Sequence, residues 1–221
     1  MSSYLRVDGE ETPIRGARLL LQRGTSGDRR GFVFQVTAHG RRRMMHLAGW
    51  APGDEPGDLT GQVVPLLASG PDAAVDGRFF AGAEIRFGRV RDDLAIISID
   101  GEVEDIEPAS AARSRLESDL RAEVVSIPDR RHCLACGAGV AAHATDRDEF
   151  VGGYRVRMRV LPIVCPACTG FAEEPRHCPT CGSAYRDGDV ATLSDDEALG
   201  YTATCAEGHT YSGSLIFGSG S

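Results

Sequence analysis

Seven cysteines constrain this chain more than any other feature, because all of them fall between positions 133 and 209 in paired spacings. They read Cys133-Leu134-Ala135-Cys136, Cys165-Pro166-Ala167-Cys168, Cys178-Pro179-Thr180-Cys181 and, last, Cys205-Ala206-Glu207-Gly208-His209. Two intervening residues let both thiolates of a pair turn toward one ion. Gly137 and Gly182 directly follow their second cysteines. Glycine there frees the backbone to curl under a metal, where a positive φ is often needed. Pro166 and Pro179 stiffen the opposite side of their turns, and Gly208 supplies the bend in the longer last pair. Seven thiols and one imidazole suffice for two closed tetrahedral sites. The expected ligands are therefore Cys133, Cys136, Cys165, Cys168, Cys178, Cys181, Cys205 and His209. They make one all-cysteine site and one with three cysteines and a histidine, holding two structural zinc ions per chain.

An odd cysteine count argues against a disulfide framework, and the residues after Met1 carry no apolar signal segment. Free ligand thiols fit a reducing cytoplasm. The knuckles also resemble those of rubredoxin, which binds iron. Rubredoxins place aromatic residues beside their knuckles, whereas Arg131 and His132 stand there in this chain, and zinc is preferred. Over residues 130–217 the pattern resembles zinc ribbons and, more loosely, RING-type cross-brace domains. Sequential pairing of the knuckles would give two tandem ribbons. Crossed pairing, first with third and second with fourth, would give the RING arrangement. A RING has few residues between its second and third pairs and a histidine in the middle of its motif. Here Thr169 to His177 separate those pairs and the histidine comes last, which favours ribbons.

No apolar run reaches the roughly 18 residues needed to cross a bilayer. The formal charge is −8, from 24 basic and 32 acidic residues, and zinc-bound thiolates would make the protein more acidic still. Nucleic-acid binders usually show a basic footprint, so the overall balance counts against that class. Lysine and asparagine are both absent. Their shared AT-rich codons explain both gaps at once, whereas avoidance of lysine modification explains one.

Residues 1–107 read as a β-rich domain, a sandwich or open barrel. Phe32, Phe34 and Val36 alternate with Val33, Gln35 and Thr37, His39-Gly40 offers a turn, and Met44 to Trp50 returns as a partner strand. Gln62 to Ala68 reads as a strand interrupted by Pro65, which suggests an edge or a bend. Glu84 to Val90, Leu94 to Ile99 and Glu102 to Ile106 read as a meander, with Asp100-Gly101 as one of its turns. Trp50 and the phenylalanines belong to the core, and no phosphate loop or nucleophile elbow occurs here. Arg41-Arg42-Arg43 reads as a solvated hairpin tip. The acidic run Asp100, Glu102, Glu104, Asp105 and Glu107 reads as an exposed strand face.

Residues 108–127 read as a linking helix. Pro108 suits a first turn, and Ala112, Leu116, Leu120 and Val124 recur every four residues. The two-zinc module follows over residues 130–217, and residues 218–221 resemble a linker tail. Inside the module, Arg155, Arg157 and Arg159 alternate with Val156, Met158 and Val160, so three arginines share one strand face. They are the local candidates for an anionic partner, unless Asp146, Asp148 and Glu149 pair with them.

Closed metal sites, acidic charge and the lack of a catalytic constellation together suggest a non-catalytic adaptor that binds a protein partner. Neither a membrane nor a small-molecule substrate is implied. A RING-like ligase module and a nucleic-acid-binding zinc ribbon are the alternatives, and only the first would make the protein part of an enzyme system.

Overall fold

The computed structural model describes residues 3–41, 43–66, 73–76, 78–105, 113–126, 131–162, 164–170, 175–195 and 198–215. Arg42, Glu107, Pro108, Ala112, the boundary residues 127–130, residues 196–197 and the tail 218–221 lie outside them. The chain divides into two compact units. The first holds Met1–Ser126 and Asp148–Met158, and the second Ile127–Arg147 and Arg159–Ser221. No α-helix occurs among the described residues, so none there could cross a membrane.

The first unit is built on nine strands: β1 (Tyr4–Val7), β2 (Glu10–Ser26), β3 (Arg29–Gly40), β4 (Met44–Pro52), β5 (Val63–Leu66), β6 (Ala73–Val75), β7 (Arg78–Val90), β8 (Leu94–Asp105) and β9 (Arg113–Ser126). Antiparallel neighbours run β9-β8-β7-β6-β4-β3-β2. The sheet closes because β9 pairs in parallel with β2 from Arg18↔Glu123 to Leu21↔Ser126. Beyond that contact β1 fills the seam, antiparallel to both β2 and β9. The result is a closed barrel of eight strands, which leaves no open barrel edge. β5 lies off this path against β7. Pro65 therefore sits in a strand whose one paired neighbour among the described residues is β7, the edge position that proline favours.

Residues 113–126 are a strand, not the helix their four-residue spacing suggests. Leu116, Ser118, Leu120, Ala122 and Val124 are all buried, while Arg113, Arg115, Arg121 and Glu123 are exposed. Every multiple of four is also a multiple of two. Ser118 and Ala122 complete an alternation that the apolar residues alone leave half-visible. The buried Ser118 hydroxyl donates to the Tyr4 carbonyl at 2.7 Å, and this satisfies it inside the wall.

Asp100-Gly101 is likewise no turn. β8 runs straight through it, with Asp100 opposite Glu84 and Gly101 opposite Ala83. Glycine is present because a Cβ at position 101 would lie 2.6 Å from the Gly82 carbonyl oxygen and 2.7 Å from the Ala83 Cβ. It permits close approach of two strands next to the bulge at Phe80/Gly82.

Fully buried Phe34, Phe80, Phe87, Leu19, Leu47 and Ile97 fill the barrel. Phe34 and Phe87 meet edge to face, with ring centroids 5.2 Å apart. Trp50 is also buried. The acidic run of β8 is matched across the ladder. Glu102 and Glu104 pair with Arg113, Asp100 with Arg115, and Asp105 with Arg78. Arg43 is held between Glu10 and Asp76 rather than free at a hairpin tip.

Two further strands, β10 (Thr145–Val151) and β11 (Tyr154–Val160), extend this sheet through one bridge, Arg157↔Thr25. The second unit contains a three-stranded antiparallel sheet of β12 (Val190–Asp195), β13 (Ala198–Thr204) and β14 (Thr210–Leu215). Tyr201 and Tyr211 pack together on it, with centroids 5.9 Å apart.

Candidate metal centres

The three cysteine pairs and the Cys205–His209 pair are built on similar turns. In the first, the Cys133 N–H donates to Ala138 O and the Gly137 N–H donates back to Cys133 O, both within 2.9 Å. The third repeats this with Cys178 to Ser183 and Gly182 to Cys178. Gly137 and Gly182 take φ of 72° and 75°, the left-handed conformation that their position requires. In the second pair Thr169 occupies the same place at φ 52°. Its hydroxyl donates to the Cys168 carbonyl at 2.7 Å, a local bond that accompanies a conformation rare for threonine. The fourth pair spans the β13–β14 connection. Cys205 follows Thr204, His209 precedes Thr210, and the Cys205 N–H donates to His209 O at 3.0 Å.

These turns bring the eight predicted ligands into two groups. Cys133, Cys136, Cys165 and Cys168 form one, and Cys178, Cys181, Cys205 and His209 the other. Within each group the ligand atoms all lie within 4.8 Å of one another. The grouping is sequential, whereas a cross-brace would interleave the pairs.

The spacing tests whether zinc fits. Zn–S bonds of about 2.3 Å at tetrahedral angles put two sulfurs about 3.8 Å apart, and a sulfur and an imidazole nitrogen about 3.5 Å apart. The distances are 3.8 Å for Cys136–Cys165, 3.8 Å for Cys181–Cys205 and 3.5 Å for Cys205 Sγ to His209 Nδ1. A disulfide needs about 2.05 Å, and all seven cysteines are free. Both groups can therefore hold a metal ion, and their donor set suits zinc.

Local hydrogen bonds prepare some thiols for ionisation. Cys165 is pulled down to about 7, chiefly by the Cys168 backbone N–H, with Ala167 N–H adding to it. Cys181 falls to about 6 through the hydroxyl and then the N–H of Ser183. Burial pushes Cys133 and Cys178 upward. A cation in each site would complete what the N–H groups begin, because zinc binds the thiolate.

The first and third knuckles form an internal repeat that spacing of ligands alone does not reveal. Arg131-His132-Cys133-Leu134-Ala135-Cys136-Gly137 matches Arg176-His177-Cys178-Pro179-Thr180-Cys181-Gly182 at five of seven positions. The two copies face each other reciprocally. The N–H groups of Arg131 and His132 donate to Pro179 O at 2.9 and 3.0 Å, and those of Arg176 and His177 donate to Leu134 O at 2.9 and 2.7 Å. A Cβ on Gly137 would lie 2.6 Å from Gly182 O and 2.8 Å from the His177 ring. One on Gly182 would lie 2.9 Å from Gly137 O and 2.8 Å from the His132 ring. Each glycine thus serves both its own turn and the contact between knuckles.

The arginine face of β11 is largely occupied. Arg155 and Arg157 both pair with Asp148, at 2.7 and 3.3 Å, and Arg159 donates to the Ala141 carbonyl at 3.1 Å. Arg155 beside Asp148 holds that carboxyl below its usual range. Comparisons with protein-family models, curated proteins and solved structures return no match to this chain.

Proposed function

We propose that this protein is a non-catalytic, zinc-binding adaptor for protein–protein interaction. The observation that carries this reading is the completeness of both ligand groups. Four protein ligands per group leave no coordination position for water or substrate, so zinc there would be structural. Cys133, Cys136, Cys165 and Cys168 would hold one ion, and Cys178, Cys181, Cys205 and His209 the other. Zinc would supply the folding free energy of a small module that has little core of its own. Surface side chains then remain free for a partner. Phe150 is a candidate anchor, because this aromatic residue is 72 % exposed on β10.

The sequential grouping weighs against a cross-brace ligase module. The pairing of Arg155 and Arg157 with one carboxylate weakens the case for a nucleic-acid surface. The test is an affinity pull-down by the zinc-loaded full chain from lysate of its source cells, with and without nuclease. The reading expects a protein partner that survives nuclease and is lost from a Phe150→Ser chain. Recovery of RNA or DNA that disappears when Arg155, Arg157 and Arg159 are changed to alanine would overturn it.

A further inference from the structure

Leu134 lies between two ligands of the all-cysteine group, yet it is packed elsewhere. It is fully buried in a cluster with Tyr201, Ala203 and Tyr211, against which Tyr185 and Val190 also pack. Tyr201 and Ala203 belong to β13, which leads into Cys205. Tyr211 belongs to β14, which follows His209. The side chain carried by one metal turn is therefore part of the small core under the other metal's ligands.

The backbone repeats the message. Leu134 O accepts the two N–H groups that precede Cys178, and Pro179 O, inside the other group's knuckle, accepts the two that precede Cys133. Neither knuckle can reach its folded geometry without supplying acceptors to the other. An ion that fixes Cys133 and Cys136 fixes Leu134 with them. That places a carbonyl and an isobutyl group where the second group's knuckle and hairpin need them.

We propose that Leu134 is a positioning residue for the second metal site, and that the two sites consequently load as one coupled unit. This rests on the reading that both groups bind zinc. The first ion bound meets the cost of ordering both knuckles, and the second binds a site already formed. Coupling runs both ways, since linkage is reciprocal.

The test is a zinc titration of the reduced, metal-stripped full chain, followed by native mass spectrometry. For two independent sites, equal or unequal, at least about half of the chains carry a single ion at half-saturation. A coupling of roughly 10- to 100-fold lowers that fraction to ~10–25 %. Leu134→Ala should raise it toward half with two ions still bound at saturation, and Leu134→Met should restore the suppressed value. A second variant removes the first site but keeps Leu134: Cys165→Ser with Cys168→Ser should weaken zinc binding at the other site at least ~10-fold against a chromophoric chelator. A single-ion fraction of half or more in the unaltered chain, with two ions at saturation, would overturn the coupling and leave the metal reading standing. Saturation at fewer than two ions would overturn the metal reading itself.

Discussion

Replacing Ser118 by lysine should unfold the barrel, whereas replacing Arg121 by glutamine should leave it intact. Ser118 is 2 % exposed and lies between Leu116 and Leu120 on the inner face of β9. It stands opposite Leu5 of β1, and its hydroxyl donates to Tyr4 O. Ser118→Ala removes that one bond, a loss of about 0.5–1.5 kcal/mol. For a unit of this size each kcal/mol corresponds to roughly 3–5 °C in Tm, so alanine should lower Tm by roughly 2–7 °C. Lysine puts four methylenes and an ammonium into a space built for one hydroxymethyl group. Overpacking costs about 1–3 kcal/mol, and an unpaired buried charge costs several more. Against a total stability of about 5–15 kcal/mol, the sum should lower Tm by more than ~15 °C or prevent folding. Arg121 is exposed on the opposite face, where changes fall within about 0.5 kcal/mol. Calorimetry and urea titration of the zinc-loaded chain measure all three. A Ser118→Lys protein melting within ~2 °C of the parent would refute the strand register, because lysine at that position is harmless only if Ser118 faces water.

Three further outcomes are expected. Elemental analysis should find two zinc ions per chain, and a chelator should abolish near-ultraviolet signals of Tyr201 and Tyr211 while the barrel persists; one ion per chain would contradict the ligand grouping. Gly49→Ala should destabilise by about 1–3 kcal/mol, since its Cβ would lie 2.6 Å from Cζ of Phe34, a ring held against Phe87. Phe34→Leu in the same chain should relieve part of this loss, and strictly additive losses would exclude the clash. Asp58 accepts the N–H groups of Glu55 and Asp54, which lower its pKa in that order. Its contribution is therefore present above the unfolded value of about 3.9 and lost as pH falls through the lower folded value. The two amide resonances should shift with a midpoint below ~3.9, and a midpoint at or above it would show that these bonds do not hold the carboxylate.

The two groups able to hold a metal were legible because the geometry of a knuckle is local. A knuckle is specified by a few residues in one turn, so Cys-x-x-Cys-Gly carries its meaning wherever it stands. The strand at residues 113–126 was not legible, because the apolar residues that define its period share every fourth position with a helix. What separates the two readings is the burial of Ser118 and Ala122, and burial is a property of the closed barrel rather than of the segment. Gly101 follows the same logic. Asp-Gly is a turn signal only when no neighbouring strand needs the space, and here Gly82 and Ala83 do. The arginines of β9 follow from that strand's place in the sheet. Arg113 pairs with its direct cross-strand partner Glu104 and diagonally with Glu102, and Arg115 pairs diagonally with Asp100, so the acidic run of β8 and the arginines of β9 are two halves of one ladder. The Arg-His-Cys repeat lay open in the sequence, but its consequence did not. That two similar knuckles face each other, and that each supplies a carbonyl to the other, requires the folded second unit. The repeat also bears on stability. Because the shared surface joins turns from the two groups, the proposed coupling expects loss of one ligand to weaken both groups together.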